Sequence, residues 1–126
     1  MKGHILLQTA AILLVCVGAM HSILGGKNLI GPLIKRDDFP VVLGSQRNGR
    51  LTLWFGWHAL SFFWWAQAYV FWRMASDPAQ TAQATLLAWA FSCAAIGGVA
   101  LIVSRGKHLS WVFFLPVAVL LALSAS

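Results

Sequence analysis

Four residues of this sequence carry an imidazole: His4, His21, His58 and His108. His58 stands within residues 51–72, LTLWFGWHALSFFWWAQAYVFW, a stretch with no formal charge. His21 lies near the end of a second apolar run, ILLQTAAILLVCVGAMHSIL, and His108 opens the last one. Neutral imidazole is the commonest protein ligand for Zn, Cu, Fe and Ni, and three of them leave a coordination position open. Two at matched depth equally suit the axial positions of haem b. Gly18 and Gly56 would then admit the ring, and Arg50, Arg105 or Lys107 would meet its propionates. Asp37 and Asp38 are the carboxylates placed to serve as ligands, orienting partners or proton acceptors.

Each of these residues also has a plain explanation. A histidine near a membrane interface can hydrogen-bond a carbonyl and do nothing else. His108, beside Arg105 and Lys107, reads as part of a basic headgroup cluster, and His4 as a solvated terminal residue. No His-x-x-x-His spacing joins two imidazoles within one helix, so the signal is a convergence between segments. Trp54, Trp57, Trp72 and Trp111 fall where interfacial tryptophan belts fall. Trp64 and Trp65 lie mid-segment. Trp65 shares a helical face with Trp54, His58 and Ser61, where it would wall a planar ligand, although core packing is the commoner cause of such a stripe. Cys16 and Cys93 fall at comparable depths as soft-ligand candidates, although apolar burial usually leaves cysteine inert.

The elements that position these residues follow from length and patterning. Only 10% of residues are charged and 60% are hydrophobic, against about 25% charged in soluble domains. About 20 apolar residues span a bilayer as a helix, and four such segments are predicted, near 5–24, 51–72, 80–103 and 108–123. The expected fold is an all-α membrane protein, a single domain over 1–126 built as a four-transmembrane-helix bundle. Leu14, Gly18, His21 and Gly25 share one face of the first helix, and Gly25-Gly26 are predicted to end it. A long loop, 27–50, would follow, with an N-cap at Asp37 or Asp38 and a short surface helix from Pro40. Ala90, Ala94 and Gly98 form a small-residue ridge on the third helix. Pro116 removes a backbone donor from the fourth.

Lys27, Lys35, Arg36, Arg47, Arg50, Arg105 and Lys107 fall on one side of this topology, and Lys2 and Arg73 on the other. That places the long loop in the cytoplasm and both termini in the periplasm of a bacterial inner membrane. It also brings His21, His58 and His108 to a similar depth at the cytoplasmic end. The net charge of +6 suggests nucleic acid at first sight. The basic residues flank apolar runs, however, where they act as topology and headgroup signals, so no nucleic acid is expected.

The stretches AMHSILGGKNLIGPLIKRDD, RLTLWFGWHALSFFWW and SRGKHLSWVFF together resemble a group of small four-helix bacterial inner-membrane proteins. The resemblance implies four spans and carries no activity. Three functions are therefore expected from the residues alone. The first is a membrane metal- or haem-binding protein. His21, His58 and His108 would bind Fe, Cu, Zn or haem b, with Trp54, Trp65, Arg50 and Arg105 around the cofactor and a redox role if the metal is iron or copper. The second is a structural or accessory subunit that packs against a membrane partner or copies of itself. The third is a lipid or isoprenoid-phosphate enzyme, with His58 as general base and Lys35, Arg36, Arg47 and Arg50 on the phosphate.

Overall fold

The computed structural model describes residues 2–126, and nothing is said of Met1 or of the Lys2 side chain. Lys2, counted above among the outer basic residues, thus has its charged group outside the described part. Among the described residues the chain is helical, with no strand. Four long helices follow in order: α1 (Lys2–Met20), α2 (Gln46–Ser76), α3 (Thr81–Ser104) and α4 (Trp111–Ser124). Two helical stretches are long and apolar enough to cross a membrane, Gly3–Ile34 and Pro78–Ser104.

The first departure from expectation is at Gly25-Gly26. The helix does not stop there: α1 continues as a π-helix, His21–Ile30, and then as a last α turn, Gly31–Ile34. The Gly31 N–H bonds the Gly26 carbonyl, the i→i+5 closure of a π-helix. Neither Gly25 nor Gly26 has the positive φ of a left-handed cap. Glycine serves here for close approach instead. A methyl group added at Gly25 would lie 2.5 Å from Trp57 Cζ2, and one at Gly18 2.5 Å from Trp65 Nε1. The Gly18–His21–Gly25 face does meet α2, as its spacing implied, and the connection shrinks to 35–45.

That connection holds no surface helix at Pro40. Asp38 binds Arg36 through two nitrogens, at 2.8 and 2.7 Å, and caps nothing. Val42 and Ser45 exchange backbone bonds of 3.1 and 3.2 Å around Leu43-Gly44, both at positive φ. This is the geometry of a primed turn. Ser45 then caps α2, its Oγ accepting from the Asn48 N–H at 3.1 Å.

Three end-to-end contacts set the helices antiparallel in sequence order. His4 Nδ1 meets the Ala75 carbonyl, Arg47 donates to the Val103 carbonyl at 3.3 Å, and Gln83 donates to the Ala125 carbonyl at 3.0 Å. His4 is therefore engaged with α2 and is not the free terminal side chain expected. Each helix packs on its neighbour in sequence, and Phe63 of α2 also reaches Phe114 of α4, ring centroids 6.5 Å apart. Among the described residues α1 meets only α2 of the other long helices.

On α3 the expected Ala90–Ala94–Gly98 ridge is buried at Ala90 alone. Ala84, Ala88, Ser92, Cys93, Gly97 and Ala100 are buried. A methyl group at Gly97 would lie 2.9 Å from Leu115, whereas one at Gly98 meets open space and Ala94 is exposed. Small residues recur at the same spacing on both faces, so periodicity alone could not choose. α3 ends with Arg105 in the left-handed conformation, φ 53°, and its Arg105 and Gly106 N–H groups return to Ile102 and Leu101. His108 lies in the turn that follows and does not open α4.

Candidate functional site

Polar side chains from two helices meet where the π-helical stretch crosses α2. Closing turns at i→i+5 stacks Gly26 under His21 and directs Ile30 to the same side, where it is buried. His21, Ser22, Gly25 and Gly26 therefore face Trp57, His58 and Ser61, three α2 residues at a spacing that shares one helical face. Short π-helical insertions in α-helices are frequent at functional sites, and this one runs for ten residues.

His21 is enclosed by indoles. Its ring stacks on Trp57, centroids 4.0 Å apart and planes within 12°, and meets Trp64 edge-on at 5.0 Å. The same pair is joined by reciprocal hydrogen bonds. Trp57 Nε1–H donates to the His21 carbonyl at 2.9 Å, and His21 Nε2 lies 3.1 Å from the Trp57 carbonyl. A carbonyl oxygen only accepts, so Nε2 carries the proton and the neutral ring keeps its lone pair on Nδ1.

His58 shows the complementary arrangement. The Ser22 hydroxyl donates to Ser61 Oγ at 2.9 Å, and Ser61 is fully buried. Ser22 Oγ also lies 3.0 Å from His58 Nδ1; where the Ser22 proton stays on the Ser61 bond, Nδ1–H donates and the lone pair falls on Nε2. Trp54 sits edge-on to the His58 ring at 4.8 Å. Gly26 makes the contact possible, since a methyl group there would lie 3.1 Å from His58 Cε1.

The remaining candidates fall elsewhere. His108 bonds Ser110 Oγ at 2.8 Å, and its ring lies 6.0 Å from Phe55. Trp54 and Phe55 wall both the notch beside His108 and the cleft beside His58, so they stand between the two imidazoles. Trp65 donates to the Val15 carbonyl at 3.2 Å and is a helix-to-helix clamp. Arg50 donates to the Arg36 carbonyl at 2.9 Å and lies over the Phe39 ring, while Arg105 forms the end of α3. Cys16 is exposed on α1 and Cys93 buried in α3. Among the described residues no group of three or more His, Cys, Asp or Glu side chains is placed to hold a metal ion. His21 and His58 thus lie at the same helix crossing, each against its own Trp and Ser or carbonyl partners, and His108 lies elsewhere.

At the polar end, the Arg36 guanidinium hydrogen-bonded to Asp38 holds that carboxyl below the usual carboxylate range. Sequence reasoning missed Ser22 as the group that links the two helices. The cleft beside His58, between α2 and α3, is about 130 Å³ and wholly apolar in its other lining residues, among them Phe55, Phe62, Ile96 and Val99. Comparison with known proteins adds no residue role, because no family model, curated protein or solved structure matches the chain.

Proposed function

We propose that this chain is a multi-pass membrane protein that binds a first-row transition-metal ion between the π-helical stretch and α2, through His21 Nδ1 and His58 Nε2. The supporting observation is the paired hydrogen bonding of the two imidazoles. In each ring one nitrogen is tied, to a backbone carbonyl or to a buried serine pair, and the other keeps its lone pair. Metal-binding histidines are held in the same way, which sets the tautomer and raises ligand basicity. Water or a small ligand would fill the remaining coordination positions, and iron or copper would give the site a redox role, with a quinone as the electron partner in the bilayer.

The cleft on the α3 side of His58 is not this site: His21 does not line it, and at about 130 Å³ it is smaller than cofactor pockets, which run to about 300–1,000 Å³. The membrane assignment is supported by exposed apolar surface that water would penalise. Ile5, Leu6, Leu13 and Ile23 on the first helical arm are each more than half exposed, and only 11% of that arm's most apolar window is buried. The excess of basic residues at the 35–50 and 105–107 end makes that end cytoplasmic in a bacterial inner membrane.

The test is elemental analysis and an absorption spectrum of detergent-extracted protein from metal-replete cells. Near-stoichiometric metal is expected, lost in His21→Ala and His58→Ala and kept in His108→Ala. Clean apoprotein would overturn the reading. A second reading, an accessory subunit or homo-oligomer, is favoured by the cover that α1 receives from α2 alone. It predicts a stable oligomer or co-purifying partner that survives both histidine substitutions.

A further inference from the structure

A wide groove lies at the basic end, its inner end reaching Trp57, the ring that stacks on His21. It is about 670 Å³, bounded by Leu33 at the end of the first helical arm, by the 36–42 connection, and by one face of α2 from Gly49 to Trp57. Its floor is apolar, with Phe39, Val42, Leu53 and Trp57, and Gly56 leaves it open midway along α2. The outer wall is built, not loose. Gln46 donates to the Asp37 carbonyl at 2.9 Å, Asn48 to the Leu43 carbonyl at 3.2 Å, and Arg50 to the Arg36 carbonyl at 2.9 Å. At Gly49 the backbone passes so near Pro40 that an added methyl would lie 2.5 Å from the Pro40 carbonyl oxygen.

The charge around it points to the occupant. Seven basic residues occupy this end of the bundle (Lys27, Lys35, Arg36, Arg47, Arg50, Arg105 and Lys107), against Asp37 and Asp38. The two charged residues that line the groove, Arg36 and Asp38, pair with each other. Arg50 stands beside the wall over Phe39, its Nε buried with no hydrogen-bond acceptor. An apolar trough at the basic end of the molecule matches an amphiphile with an acyl chain and an anionic head. We propose that this groove holds a phospholipid with an anionic headgroup, one acyl chain lying along Leu53, Gly56 and Trp57 and the phosphate at Arg50. The inference rests on the membrane reading above and is independent of the metal.

Gly56 supplies the decisive variant. A Cβ added there meets nothing within 4 Å, so Gly56→Leu directs bulk into open groove space, and replacing a helical glycine favours the helix. Gly98→Leu, equally open but on α3, is the control. Full-length protein in neutral detergent is mixed with phosphatidylglycerol or phosphatidylcholine and examined by native mass spectrometry. The wild type should retain phosphatidylglycerol about fivefold better, the effect of roughly one basic residue near an anionic headgroup. Gly56→Leu should lose that retention, Arg50→Gln should retain both lipids equally, and Gly98→Leu should behave as wild type. Equal retention of the two lipids by the wild type would overturn the proposal, as would a Gly56→Leu protein indistinguishable from Gly98→Leu. Failure of the membrane reading would show separately, as chain that stays in aqueous solution without detergent.

Discussion

The α1–α2 and α3–α4 contacts are both close helix pairings, and they are made from different chemistry. Between α3 and α4 the approach is apolar: Gly97 receives Leu115 and Phe114, and the α3 serine Ser92 turns back to bond its own helix at Ala88. Between the first helical arm and α2 the glycines receive Trp57, His58 and Trp65, and every one of these rings is hydrogen-bonded to the opposite helix. Small residues thus do two jobs. At α3 they let helices touch. At Gly18, Gly25 and Gly26 they admit polar aromatic rings whose donors would otherwise lie unpaired in an apolar layer, which costs several kcal/mol per group in hydrocarbon. The difference is between rings clamped by hydrogen bonds at one contact and apolar packing at the other.

That contrast breaks most sharply at the histidines. His21→Ala or His58→Ala should abolish bound metal while leaving the α3–α4 pairing intact, read by elemental analysis beside circular dichroism. If metal persists in both variants, the two contacts are functionally alike. Next in size are the glycines. Gly25→Leu drives a side chain into Trp57 and should cost about 1–3 kcal/mol in denaturant unfolding in detergent. Gly98→Ala, in open space, should gain roughly 0.5–1 kcal/mol from helix propensity. Equal effects would mean that the α1–α2 contact is as yielding as an open helix face.

A smaller loss is expected from Trp57→Phe, which keeps the stacked ring and removes the bond to the His21 carbonyl. Its cost should be about 0.5–1.5 kcal/mol in the same assay. The smallest effect lies outside both contacts. Hydrogen bonding to Arg36 lowers the Asp38 pKa, so its stabilising contribution is present above the ordinary aspartate value and is lost as pH falls through the lowered one. Both side chains are exposed, so the consequence is local. In Arg36→Gln the Asp38 midpoint, followed by NMR, should rise toward the ordinary value of about 3.9. An unchanged midpoint would remove Arg36 as its cause.

Much of this architecture could be read in the sequence, because apolar run length and charge placement are local properties. The third helix was expected over 80–103 and runs over Thr81–Ser104. The face carrying Gly18, His21 and Gly25 was also legible, since helical periodicity alone aligns them. Gly25-Gly26 were misread because glycine ends a helix and admits a neighbour with equal ease. Only the indole of Trp57, distant in sequence, decides between the two roles. The small-residue face of α3 was misjudged for the same reason.

What the residues determined unaided is helical character and four apolar segments, two of which fall in helices long and apolar enough for a bilayer, with basic residues concentrated at one end. Tertiary structure alone decided the π-helical register of residues 21–30 and, with it, which groups meet. Hydrogen bonds from Trp57 and His58 to a neighbouring helix lie outside any local pattern. An i→i+5 turn that i→i+4 propensity disfavours is therefore visible only once the two helices are in contact.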